Sequence, residues 1–152
     1  MTMDEILAFV SERFTDVTTV VASEENGAPP AAWGDAFFTY KPPPESDRPA
    51  PRMPFATVVT QDYQGFDTAS ELDREGVFRL NVSLGRHAFD TVLGPGWADR
   101  AYDPTAFDVV MPHPVYATQG WLCVLNPSDG SRATVEGLIT GAHDRAVAQH
   151  QR

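Results

Sequence analysis

Residues 78–84 alternate apolar and polar side chains more regularly than any other part of the chain. The apolar positions are Phe78, Leu80, Val82 and Leu84, and the polar positions between them are Arg79, Asn81 and Ser83. A period of two is typical of a β-strand that has one apolar face and one polar face. This segment therefore predicts a sheet with a core on one side and an arginine on the other.

Four further segments predict strands because they are rich in β-branched or aromatic residues. They are residues 17–22, 33–40, 55–61 and 120–125. Helical spacing of apolar residues predicts a helix over 3–14, which begins with a capping box of Thr2 and Glu5. A short helix is expected after the alternating strand, with Ser83 as its N-cap, and a last helix of about four turns is expected from Val135 onward.

Short connections between neighbouring strands favour an antiparallel sheet. We expect one α+β domain over residues 1–152, with about five strands and with the N-terminal, short central and C-terminal helices packed on one face. Residues 41–54 contain six prolines and predict a surface loop, because proline lacks the backbone N–H that a central strand needs. A proline-rich ligand for the groove of a partner protein is the alternative interpretation of this loop.

The balance of charges weighs against two classes of partner. The chain has 11 basic and 21 acidic side chains, so its formal net charge is −10, and Lys41 is its only lysine. Sequence-independent binding to nucleic acids and to anionic membranes depends on Lys and Arg, so neither is expected.

The single cysteine, Cys123, excludes a disulfide within the chain. No basic leader and no apolar run of about 20 residues is visible, and we expect a cytoplasmic protein.

Arg79 and Asn81 share the polar face of the predicted strand and are the first candidates for ligand binding. A guanidinium group binds carboxylates or phosphates with its planar fork of N–H groups, and an asparagine amide would orient a carbonyl or hydroxyl group. The structural alternatives are that this face is open to water, or that Arg79 pairs with Asp35 on a neighbouring strand.

His113 lies between Pro112 and Pro114, whose rings restrict the backbone on both sides. A fixed imidazole suits acid–base chemistry near neutral pH. It equally suits a hydrogen bond to the backbone that holds the irregular segment 97–119 in place. Asp35 lies among aromatic residues and is a second candidate acid or base, if burial raises its pKa.

Aromatic residues are candidates for the walls of an apolar pocket, although core packing is their commoner use. The candidates are Trp33, Tyr116 and Trp121. Asp62, Tyr63 and Asp67 follow the third strand, and a turn is favoured for them over a functional site. His87 and Asp90 are three residues apart on the short helix, but two ligands do not make a metal site, and we predict none.

Several blocks of the sequence resemble a small bacterial family known only as a domain of unknown function. The blocks are Trp33–Phe38, Pro54–Thr60, Gly76–Val82, Met111–Tyr116 and Gly120–Pro127. This resemblance covers most of the chain and implies no activity. A weaker likeness, in the order of helices and strands, is to the MmcQ/YjbR group. It implies a CyaY-like α+β fold and a DNA-binding role, which the excess of acidic residues opposes.

The favoured function is binding of an organic small molecule in an aromatic pocket between the sheet and residues 97–119. Cofactor-free acid–base chemistry, such as a cyclisation, isomerisation or dehydration, would use His113 and Asp35. The remaining site residues would bind the ligand, and they are Arg79, Asn81, Tyr116, Trp121 and Trp33. The alternatives are a non-enzymatic module that docks a protein through the proline-rich loop or a sheet edge, and nucleic-acid binding. No cofactor is expected, and self-association stays open.

Overall fold

The computed structural model describes residues 1–152 as an open antiparallel sheet of six strands with three α-helices. The strands are β1 (Val17–Val21), β2 (Ala36–Tyr40), β3 (Ala56–Val59), β4 (Arg79–Ser83), β5 (Met111–Pro112) and β6 (Trp121–Leu125). The helices are α1 (Met3–Arg13), α2 (Gly85–Leu93) and α3 (Arg132–His150). The strand order is β1-β2-β3-β4-β6-β5, so the alternating strand β4 lies inside the sheet. The predicted α+β class is confirmed.

The sheet has one strand more than the sequence predicts. The additional strand is β5, which has only two residues and pairs Met111 with Cys123 and Pro112 with Leu122. So short a strand has no room for an alternating pattern, and Pro112 lacks a backbone N–H for the ladder. These are the reasons why the segment 97–119 reads as irregular in the sequence.

The apolar core lies between one face of the sheet and the helices. It contains 19 buried residues from α1, α2, α3 and the strands between them. Ile6 and Val10 of α1 belong to it, and so do Leu80 and Val82 of β4. The helices therefore pack on one face, as predicted. The opposite face carries Arg79 and Asn81, and it is covered by the connections that follow β3 and precede β6.

Of the two helix caps predicted from the sequence, the one at α1 is present and the one at α2 is not. The capping box of α1 is present, because the Thr2 hydroxyl accepts from the Glu5 backbone N–H at 3.2 Å and Glu5 accepts from the Thr2 backbone N–H at 3.2 Å. The prediction that Ser83 caps α2 is wrong. Ser83 is still paired with Trp121 in the sheet, and its hydroxyl accepts from Arg145 at 3.1 Å instead. The last helix, α3, is 19 residues long, which is longer than predicted.

Candidate functional site

A cavity of about 380 Å³ opens on the face of the sheet that the helices leave free. Its floor consists of alternate residues of β3 and β4, with one residue each from β2 and β6. Its walls come from the connection after β3 and from the segment that precedes β6. Five of the seven predicted site residues line it: Arg79, Asn81, His113, Tyr116 and Trp121. The volume lies within the usual range for small-molecule sites.

Arg79 lies at the floor of the cavity, and its side chain is 0 % exposed. Its guanidinium group donates to both carboxylate oxygens of Asp67, at 3.1 and 2.5 Å, and to the Ser70 hydroxyl at 2.9 Å. Its Nε donates to Asn81 Oδ1 at 2.8 Å. Four of the five N–H groups of the arginine therefore have acceptors within the protein. The fifth faces His113 Nε2 at 3.2 Å.

The partner of Arg79 is Asp67, and not Asp35 as one sequence alternative proposed. Asp67 lies in a tight turn, because its backbone exchanges hydrogen bonds with Tyr63 at 2.8 and 3.0 Å. The turn predicted for this stretch is present, and it also delivers the carboxylate to the arginine. The signal that sequence reasoning missed is electrostatic: an arginine buried inside a sheet needs a buried carboxylate from some other segment.

Asn81 connects the arginine to a hydroxyl group at the cavity. Its Nδ2 donates to Thr57 Oγ1 at 3.0 Å, across the pairing of β3 with β4. Thr57 and Asn81 are both buried, and both line the cavity. The hydrogen bonds of Arg79, Asn81 and Thr57 thus form one continuous chain that ends at the cavity.

His113 is held by hydrogen bonds at one ring nitrogen, and the other ring nitrogen lies beside Arg79. Its Nδ1 accepts from the backbone N–H groups of Val115 and Tyr116, each at 3.0 Å, and its Nε2 lies 3.2 Å from Arg79. This is the backbone hydrogen bond that the sequence analysis offered as the structural alternative. Burial, and then the charge of Arg79, lower the pKa of His113 far below its ordinary value, so the ring is neutral at pH 7.

Asp35 lies behind the wall of the cavity rather than in it. One of its oxygens accepts from the backbone N–H and the hydroxyl of Thr60, at 2.7 and 2.9 Å, and the other accepts from the Tyr63 hydroxyl. Burial raises the pKa of Asp35, which is the condition on which its candidacy as an acid or base depended. Tyr63 lines the cavity, so it is the side chain that connects Asp35 to the site.

Aromatic side chains form one wall of the cavity and part of its mouth. The rings of Tyr116 and Trp121 are 6.4 Å apart, and Phe66 lies 5.9 Å from Tyr116. Phe66 is 58 % exposed and Met53 is 73 % exposed, so the mouth has an apolar rim. Met53 and Pro54 end the proline-rich segment, which therefore contributes to the site. No sequence pattern marks Phe66 or Met53 as site residues, because both lie in irregular connections.

Four residues considered in the sequence analysis lie outside the cavity: Trp33, His87, Asp90 and Cys123. Trp33 is exposed, and its indole N–H donates to the backbone oxygen of Ala28 at 2.9 Å. Asp90, for which no metal site with His87 is predicted, lies 3.6 Å from Arg86. The structure contains no cluster of three or more His, Cys, Asp or Glu side chains that could hold a metal ion. Cys123 is buried, and burial raises the pKa of its thiol to about 12.

Comparison with known proteins identifies the family of the chain. The model of DUF6194, described as a family of unknown function, matches residues 1–152, and the chain belongs to that family. No curated protein and no solved structure matches the chain. The likeness to the MmcQ/YjbR group therefore has no support from these comparisons. No helix of the structure is long and apolar enough to cross a membrane.

Proposed function

We propose that this member of the DUF6194 family binds a small organic molecule in the cavity beside Arg79. One observation carries the proposal: buried, hydrogen-bonded polar side chains lie at the floor of an open cavity whose wall and rim are aromatic and apolar. A few fixed polar groups within apolar walls are typical of small-molecule sites.

The polar floor is difficult to explain by stability alone. Moving the charges of Arg79 and Asp67 out of water costs several kcal/mol per ion. Well-packed apolar residues in the place of a buried ion pair are often neutral or stabilising. The pair does, however, place Arg79 so that its Nε holds the Asn81 amide in a fixed position at the cavity. Fixed polar groups favour binding because their orientation is already set before the ligand arrives.

The rim supports the same proposal. Met53 and Phe66 leave large apolar surfaces in water, and Tyr116 is also 37 % exposed. A ligand packed against Tyr116 and Trp121 would cover part of this surface. Burial of apolar area contributes about 25 cal/mol per Å² to binding, before the costs of association.

The test compares two tryptophan variants. Fragments that raise the melting temperature of the protein are first selected by thermal shift and confirmed by NMR. Trp121→Ala removes an aromatic wall of the cavity, and we expect it to weaken confirmed ligands by about tenfold. Trp33→Ala is the matched control, because Trp33 is an exposed tryptophan outside the cavity. Equal effects of the two variants on every confirmed ligand would refute the proposal.

A second candidate function is acid–base catalysis, and the contact between Tyr63 and Asp35 favours it. A substrate in the cavity would give a proton to Tyr63 Oη while the Tyr63 proton passes to the Asp35 carboxylate. A cyclisation, isomerisation or dehydration is compatible with such a step. We expect Tyr63→Phe to retain ligand binding and to abolish turnover, measured as product formation from confirmed ligands by NMR. A confirmed substrate that Tyr63→Phe converts at the wild-type rate would exclude this role.

Docking of a protein partner is the remaining alternative. Three exposed apolar side chains favour it: Val20 and Val21 of the edge strand β1, and Met53 at the end of the proline-rich segment. Deletion of residues 42–51 tests docking through the proline-rich loop. Loss of a captured protein partner with unchanged fragment binding would support docking. Nucleic-acid binding is tested by a gel-shift at low salt, where electrostatic binding is strongest.

A further inference from the structure

We infer that the cavity selects an uncharged aromatic ligand whose carbonyl oxygen accepts hydrogen bonds from Thr57 and Asn81. The inference rests on the proposed function and specifies the chemical class of the ligand. Three features support it: the direction of the hydrogen bonds at the floor, the zero net charge of the buried Arg79–Asp67 ion pair, and the aromatic wall.

The direction of the hydrogen-bond chain is fixed at its buried end. Arginine can only donate, so Arg79 Nε requires the oxygen of the Asn81 amide to face it. The amide nitrogen must then face Thr57, and Thr57 Oγ1 accepts its hydrogen bond. The Thr57 hydroxyl proton and the second N–H of Asn81 are left without an acceptor in the protein. Both residues line the cavity, so both donors are available to a ligand.

The ring proton of His113 faces Arg79 rather than a ligand. A neutral imidazole has one acceptor nitrogen. Three N–H groups face the ring, namely those of Val115, Tyr116 and Arg79. Because two of them point at Nδ1, the ring proton belongs on Nε2, where it opposes an N–H of Arg79 at 3.2 Å. The donors left for a ligand are therefore those of Thr57 and Asn81.

The charges at the floor favour an uncharged acceptor over an anion. Arg79 and Asp67 are the only charged residues that line the cavity, and they neutralise each other through a two-point contact. Asp35 lies behind Tyr63 and adds negative charge nearby. A carboxylate ligand would therefore leave water without gaining an unpaired cation. A ketone or amide oxygen accepts the same hydrogen bonds at a much smaller cost of desolvation.

The test uses three probes of similar size, each followed by NMR titration of the backbone amides of the full chain. Acetophenone is an uncharged carbonyl compound, ethylbenzene lacks the acceptor, and benzoate carries a negative charge. We expect acetophenone to bind most tightly, with shifts confined to residues around the cavity. Loss of one neutral hydrogen bond corresponds to a roughly three- to tenfold weaker affinity, so ethylbenzene is expected to bind weaker by at least that factor.

Variants of Thr57 test the donor directly. Thr57→Val removes the hydroxyl at nearly constant shape, and we expect it to weaken acetophenone roughly three- to tenfold and to leave ethylbenzene unchanged. Thr57→Ser retains the hydroxyl and should retain the preference. Thr39→Val is the matched control, because Thr39 lies in β2 outside the cavity.

The outcomes separate the inference from the proposed function. Equal binding of acetophenone and ethylbenzene, or tightest binding of benzoate, would overturn the inference and leave small-molecule binding intact. The absence of cavity-localised shifts with all three probes, together with a fragment screen that finds no ligand, would overturn both. If Thr57→Val does not fold, the order of affinities of the three probes for the unmodified protein still tests the inference.

Discussion

The substitution Arg79→Met tests whether the buried arginine organises the floor of the cavity. It retains a side chain of similar length and removes the guanidinium group. Asp67, 6 % exposed, then loses its counter-ion, and Ser70 and Asn81 lose the donors that face them. Removal of one partner from a buried ion pair costs about 3–5 kcal/mol. For a chain of this length that corresponds to a decrease in melting temperature of about 6–20 °C.

Urea unfolding followed by circular dichroism measures this effect, and two further variants make it interpretable. Arg86→Met is the matched control, since Arg86 is half-exposed and lies 3.6 Å from Asp90, and we expect a loss below about 1 kcal/mol. The double variant Arg79→Met with Asp67→Leu removes both charges and should recover part of the lost stability. A loss for Arg79→Met as small as that for Arg86→Met, or a double variant with fully additive losses, would refute the reasoning.

Further predictions concern a histidine, a cysteine and two glycines. Because the folded-state pKa of His113 is lowered from 6.5, the unfolded chain binds more protons below pH 6.5, and unfolding free energy should fall by up to about 1.4 kcal/mol per pH unit on acidification. His113→Gln should lack this contribution in urea titrations between pH 5 and 7. Cys123 should react with a thiol reagent at pH 8 only after unfolding, since burial raises its pKa to about 12. Gly120→Ala should destabilise by about 2 kcal/mol or more, because φ is +83° and a Cβ there would lie 2.7 Å from the Gly85 backbone. Gly137→Ala, in open space on α3, should instead stabilise by about 0.5–1 kcal/mol.

The sequence contains enough information to predict most of the fold, because the relevant signals are local. The alternation in residues 78–84 identifies β4 and the side of the sheet on which Arg79 lies. The spacing of Thr2 and Glu5 identifies the start of α1. Strand β5 was not predicted, because its two residues pair only through contacts with β6 that are distant in sequence.

The candidate site could be predicted only in part, because local patterns are visible in the sequence and contacts between distant segments are not. Arg79, Asn81 and His113 stand out within regular or rigid segments, and the structure brings all three to one cavity. Asp67 and Phe66 lie in a turn whose composition resembles that of any turn, so no local pattern reveals their role. The identity of the acid that pairs with Arg79 depends on how the connection after β3 folds back over the sheet.

The central claim is that the floor of the cavity donates hydrogen bonds to an uncharged ligand. A crystal structure of the protein soaked with acetophenone tests it most directly. The account predicts the ring packed against the aromatic wall of Tyr116 and Trp121, with the carbonyl oxygen within about 3.2 Å of Thr57 Oγ1 or Asn81 Nδ2. A ring bound outside the cavity, or a carbonyl oxygen turned away from the floor toward solvent, would contradict it.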